Sequence, residues 1–122
     1  MPDELAPEEF VEFVELKDFS DAWNDLALTD DDLYPLQLSI LRDPKRWPVI
    51  SGTGGLRKMR FSPPNWKRGK SGALRVCYAY FQPVNIVLLV LAYTKDEKDD
   101  LSNEEKKAIR NALSIIERQY LS

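Results

Sequence analysis

The sequence predicts an α+β fold: a small antiparallel sheet of about four strands, two N-terminal helices and one C-terminal helix. Two observations carry this. Apolar residues recur at helical spacing in three segments, while Val-, Tyr- and Phe-rich runs bounded by Gly and Pro mark strands. The order in which these segments alternate, strand, two helices, three strands, helix, places the helices on one side of the sheet. With 122 residues the chain is long enough for one core but not for two, so residues 10–122 are expected to form a single domain.

Residues 1–9 are acidic, hold two prolines and show no periodicity, which predicts a flexible lead-in. A first strand is expected over Phe10 to Leu16. Asp18 reads as an N-cap, followed by Phe19, Ala22, Trp23 and Leu26 on one helical face. Asp30, Asp31 and Asp32 suit the positive end of a second helix, whose inner face holds Leu33, Leu36 and Ile40. Pro35 is tolerable only near that helix's first turn. The helix should stop before Asp43-Pro44, because a residue preceding proline avoids helical geometry.

Gly52, Gly54 and Gly55 form a turn into a strand over Leu56 to Phe61, and Pro63-Pro64 opens a loop reaching Gly72. Strands Ala73 to Phe81 and Asn85 to Tyr93 are joined by the tight connection Gln82-Pro83-Val84. The latter strand is apolar on both faces and so belongs in the middle of the sheet. Ser102 and Glu105 make a capping box for a last helix, whose stripe Ile109, Ala112, Leu113, Ile116 and Tyr120 must pack on something.

Charge is distributed unevenly. From Arg42 to Arg75 there are ten Lys or Arg against one acid, whereas the first 32 residues hold twelve acids against one base. A net charge of −3 therefore hides a strong dipole, and the middle of the chain is suited to an anionic, polyphosphate-backbone ligand. The chain has no histidine and one cysteine, Cys77. That excludes Ser-His-Asp and Cys-His nucleophile systems and gives no basis for a metal site or a cofactor. No apolar run is long enough to span a bilayer, and a reducing cytoplasm fits the cysteine usage.

Side chains alternate across a strand, so Lys58 and Arg60 share a face, and Arg75 lies opposite Leu74 and Val76. If the apolar sets face the core, Lys58, Arg60 and Arg75 converge on one exposed side. Lys67, Arg68 and Lys70 hang beside them on the loop, and Lys95 reaches the same rim from beyond the last strand. Plain solvated charge explains the loop set about as well as phosphate contact does. For the strand set the bland reading is weaker, unless the acidic N-terminal part neutralises it. Trp66 is expected to pack its own loop rather than stack on a base, and Cys77 is expected to be a small strand residue. The glycine run is not a P-loop: its spacing is wrong and a strand follows it.

The run Val49 to Arg60, the loop Arg68 to Gly72, Arg75-Val76-Cys77-Tyr78 and Tyr93-Thr94-Lys95-Asp96-Glu97 resemble RelE/ParE-superfamily toxins. The likeness is to the RelE/HigB-like branch of bacterial type II toxin–antitoxin systems and covers nearly the whole chain. It implies a RelE-like microbial RNase architecture and a ribosome-dependent mRNA endoribonuclease, an mRNA interferase acting through 2′-hydroxyl attack without metal. Its implied catalytic positions are Lys58, Arg60, Arg75 and Lys95; Arg57, Lys67, Arg68, Lys70 and Tyr93 are expected to contact the RNA beside them. Its implied partners are the ribosome and mRNA, and a cognate antitoxin of the helix-turn-helix, DNA-binding kind. Operator DNA would be reached only through that antitoxin, and no membrane is involved. Two other readings remain open: a ParE-like toxin that binds gyrase, and a catalytically weakened RNA- or ribosome-binding module.

Overall fold

A computed structural model of the chain describes residues 10–64, 66, 73–98 and 100–121. Strand β1 (Glu12–Glu15) leads into helix α1 (Lys17–Asp25) and helix α2 (Asp30–Arg42). Strands β2 (Leu56–Phe61), β3 (Leu74–Phe81) and β4 (Ile86–Thr94) follow, and helix α3 (Asn103–Leu121) closes the chain. These are the four strands, two N-terminal helices and C-terminal helix that the sequence predicts. The expected lead-in, residues 1–9, and the loop residues 67–72 lie outside the described residues.

The sheet order is β1-β4-β3-β2. Strands β2, β3 and β4 form an antiparallel meander, and β4 lies inside the sheet as its two apolar faces require. One pairing differs from the expectation. β1 runs parallel to β4, with Glu12 opposite Ile86 and Glu15 opposite Leu89. A parallel neighbour needs a long crossover, and the chain supplies one by passing through both helices and two strands before β4 is made.

The helices also depart from the single layer expected of them. Phe19 and Trp23 of α1 and Leu36 and Ile40 of α2 bury one face of the sheet, against Met59, Leu74, Val76, Tyr78, Val87 and Leu89. Leu113 of α3, flanked by Ile109 and Ile116, covers the other face, over Leu56, Cys77, Ala79, Phe81 and Leu88. The reason lies in composition: β3 and β4 alternate apolar with apolar, so both their faces demand cover. Trp66 packs on the α1–α2 side, as expected.

Local signals account for the helix ends, with two shifts. α1 has its N-cap at Leu16, two residues ahead of the expected Asp18, which instead lies in the first turn where its charge meets the helix dipole. At α2 the cap is Thr29, whose backbone N–H donates to Asp32 Oδ2 at 3.0 Å. Pro35 falls in the second turn of α2, deeper than the sequence reading allowed, so the Asp31 carbonyl, one turn back, lacks its i+4 donor. At α3 the capping box is formed as predicted: Ser102 N–H donates to Glu105 Oε1 at 2.9 Å, and Glu105 N–H to Ser102 Oγ at 3.1 Å.

The glycine turn is anchored by a buried hydroxyl. Thr53 is 0% exposed; its Oγ1 donates to the Ile50 carbonyl at 2.7 Å and accepts from Leu56 N–H at 3.0 Å. Replacing it with valine keeps the shape but strands a buried N–H, which typically costs about 1–3 kcal/mol. Urea denaturation of Thr53→Val should therefore show a lowered midpoint with an unchanged slope.

Candidate functional site

The β2–β3 register brings the predicted strand cations together. Arg60 lies directly opposite Arg75, and Arg75 in turn lies opposite Tyr93 on β4. One pleat along, Lys58 is opposite Cys77 and Cys77 opposite Leu91. Facing residues in such a ladder have Cβ atoms about 4.5–5.5 Å apart, so the two arginines are immediate neighbours. Their apolar counterparts Met59, Phe61, Leu74 and Val76 point to the other face, into the core beneath α1 and α2. The convergence expected for Lys58, Arg60 and Arg75 is thus present on a single sheet face.

Arg75 is held in place by its own strand, with Nη1 donating to the Ala73 carbonyl at 2.7 Å. Arg60 is exposed and has no hydrogen bond or ion pair among the described residues. Two neighbouring guanidinium groups without an acid between them among the described residues repel one another, and a bound anion would relieve that repulsion. The ion pairs among the described residues are Lys17–Asp21, Lys58–Asp100 and Lys98–Glu105. None of them joins a strand cation to the acidic first 32 residues.

Lys58 does have a partner, which the sequence reading missed. Its Nζ donates to Asp100 Oδ1 at 3.1 Å, with Lys58 34% and Asp100 78% exposed. The pair spans 42 positions, and Asp100 sits in a mixed-charge run that carries no local signal of its destination. Lys98 was also missed. Its ammonium lies 5.7 Å from the centre of the Tyr93 ring and bonds Glu105, whose carboxyl is held below its usual range chiefly by that bond and then by Ser102 N–H.

The remaining predicted residues are placed differently. Tyr93 is 4% exposed, and its hydroxyl is buried beside the Cys77 thiol with no hydrogen-bond partner among the described residues. Arg57 points to the opposite face from Lys58 and Arg60, donating from Nη1 to the carbonyls of Lys45 at 3.0 Å and Trp47 at 2.6 Å. That is a tie across the turn before β2, separate from the cationic face. Lys95 is exposed in the turn after β4, at the end of the Tyr93 row. Lys67, Arg68 and Lys70 lie outside the described residues.

The surroundings sort ligands by charge. A cleft of about 560 Å³ between α1 and the start of α3 is lined by Asp18, Asp21, Asp25, Glu97 and Glu105, with Lys98 the only cation among the described lining residues. It repels a polyanion. Beside Arg60, a depression of about 300 Å³ is walled by Trp47, Ser62 and Ala73, a surface of mixed polarity next to an exposed guanidinium. Among the described residues no three His, Cys, Asp or Glu side chains are grouped to hold a metal ion, and no helix is long and apolar enough to cross a membrane.

The molecule is thus a four-stranded sheet covered by helices on both faces, with two arginines facing each other on its meander. The architecture is RelE-like. It is similar to the structure of the E. coli toxin RelE, in an arginine-to-alanine double variant in the free state, with a TM-score of 0.51 and 11% identity. The similarity covers 73% of this chain and 87% of that one. The sequence matches no protein-family model.

Three buried acids of the strands share one response to pH. Burial pushes the Cys77 thiol up to about 12 and the Tyr78 hydroxyl to about 12, and raises Tyr93 as well. In the unfolded chain a thiol ionises near 8.5 and a phenol near 10. Because the folded values are the higher ones, the unfolded state releases protons first and stability falls as pH rises from about 9 towards 12. Chemical denaturation across that range should show the decline, and at pH 8 the Cys77 thiol should resist alkylation until the protein unfolds.

Proposed function

We propose that this chain is the toxin of a type II toxin–antitoxin module and acts as a metal-independent, ribosome-dependent mRNA endoribonuclease. The observation that supports it most is the Arg60–Arg75 pair, fixed on adjacent strands with Lys58 one pleat away, in a RelE-like fold. In this reading the substrate's 2′-oxygen attacks the adjacent phosphorus while the bond to the 5′-oxygen breaks. The products are a 2′,3′-cyclic phosphate and a 5′-hydroxyl. Arg60 and Arg75 stabilise the doubly charged phosphorane, the step in which preorganised donors matter most.

Lys58 donates to Asp100, so in this reading the acceptor of the 2′-hydroxyl proton is the Asp100 carboxylate, with Lys58 balancing the charge. Lys95, free on its turn, is the donor to the leaving 5′-oxygen. Tyr93, buried under Lys98, shapes the floor rather than touching RNA. An open face of this kind aligns a flexible strand poorly by itself, which is consistent with reliance on the ribosome for orientation. The cognate antitoxin and the ribosome are then its partners. The weakened, binding-only reading is favoured by one observation, the inaccessibility of the Tyr93 hydroxyl, and the same experiment separates the two.

Expression in a bacterial host should arrest growth and create new 5′ ends within translated messages. Arg75→Ala should lower that cleavage by about a hundred- to a thousandfold, the usual loss for one transition-state donor. Growth arrest with intact transcripts, or cleavage indifferent to Arg75→Ala, refutes the proposal.

A further inference from the structure

The glycine turn and the first turns of α3 enclose a second cationic concavity. A cleft of about 320 Å³ is lined by Ser51, Gly52, Asn103, Lys106, Lys107 and Arg110. Lys106 and Lys107 stand four and three positions before Arg110, so the three cations share one flank of the helix. None of the three side chains is hydrogen-bonded or ion-paired among the described residues. The facing wall is backbone. Gly52 and Gly54 have φ of +84° and +74°, and a Cβ on Gly54 would come within 3.1 Å of Arg110 Cγ. The turn is therefore fitted closely to the arginine stem, and buried Thr53 keeps it rigid through its two hydrogen bonds.

We propose that this cleft is a phosphate subsite for the RNA strand, gripping a phosphodiester group a few nucleotides away from the Arg60–Arg75 centre. The inference rests on the RNA-cleaving reading above and extends it to a surface that reading does not use. Continuity with the strand site supports it. Asn103, at the cleft's edge, is three residues beyond Asp100, the partner of Lys58, a span of at most about 11 Å. Leu56, which α3 covers, precedes Lys58 by two residues on the same sheet face. The two cationic sites are thus joined by the start of α3 on one side and by the Leu56–Lys58 segment on the other. The acidic cleft at α1 bars the alternative course, so charge directs the strand towards the glycine turn. The Gly-Thr-Gly-Gly run, which is no P-loop, acquires a physical role as the backbone wall of this subsite.

The test measures binding of two RNAs made uncleavable by a 2′-deoxy substitution, a tetranucleotide and a decanucleotide, by fluorescence anisotropy across a salt series. The double variant Lys107→Ala/Arg110→Ala should weaken the decanucleotide several-fold and reduce its salt slope by about 0.7, the counterion release of one single-strand phosphate contact. The tetranucleotide should be unaffected, while Arg75→Ala should weaken both. The subsite is refuted if the double variant leaves the decanucleotide unchanged, or weakens both lengths equally as a general loss of charge would. It is also refuted if polyglutamate displaces the decanucleotide from the unsubstituted protein but not from the double variant, which would mark the cleft as a peptide site. Indifference of both RNAs to Arg75→Ala, with the decanucleotide still dependent on Lys107 and Arg110, would sink the strand-site reading and leave the cleft standing.

Discussion

The register between β2 and β3 is the constraint on which everything else depends. Six consecutive pairs, from Leu56 opposite Ala79 to Phe61 opposite Leu74, align the two strands. A slip by one residue would send Met59, Phe61, Leu74 or Val76 out of the core and the cations into it. The register is therefore enforced by hydrophobic burial beneath α1 and α2, not by anything the cations do for one another. Arg60 and Arg75 meet because their neighbours must be buried. The electrostatic cost of that meeting is offset by the burial of those neighbours.

Cover on both faces of the central strands gives the molecule its functional asymmetry. α1 and α2, with Trp47 and Trp66, pack on one face, and α3 covers Leu56, Cys77, Ala79, Phe81 and Leu88 on the other. The corner that α3 leaves open is where Lys58, Arg60 and Arg75 stand. The approach to α3 is equally consequential: the segment from Lys98 to Glu105 sets a cation over Tyr93, a carboxylate on Lys58 and a capping box at the helix start. One short connection thus organises three separate features of the face. The acids of α1 border this connection on its far side, so the charge dipole visible in the chain becomes a boundary between a cationic and an acidic surface.

Sequence alone determined the elements, their order, the central place of β4, the cap of α3, and the parity that groups Lys58, Arg60 and Arg75. All of these follow from rules of period two or period 3.6 acting over a few residues, and such rules are written into neighbouring positions. Tertiary structure decided that α3 crosses to the opposite face, that β1 pairs parallel with β4, that Arg57 serves as a tie to Lys45 and Trp47, and that Asp100 reaches Lys58. Each of these depends on segments far apart in the chain meeting in three dimensions. An amphipathic stripe says that a helix must be covered but not by which surface, and a carboxylate in a charged run says nothing of the amine it will find.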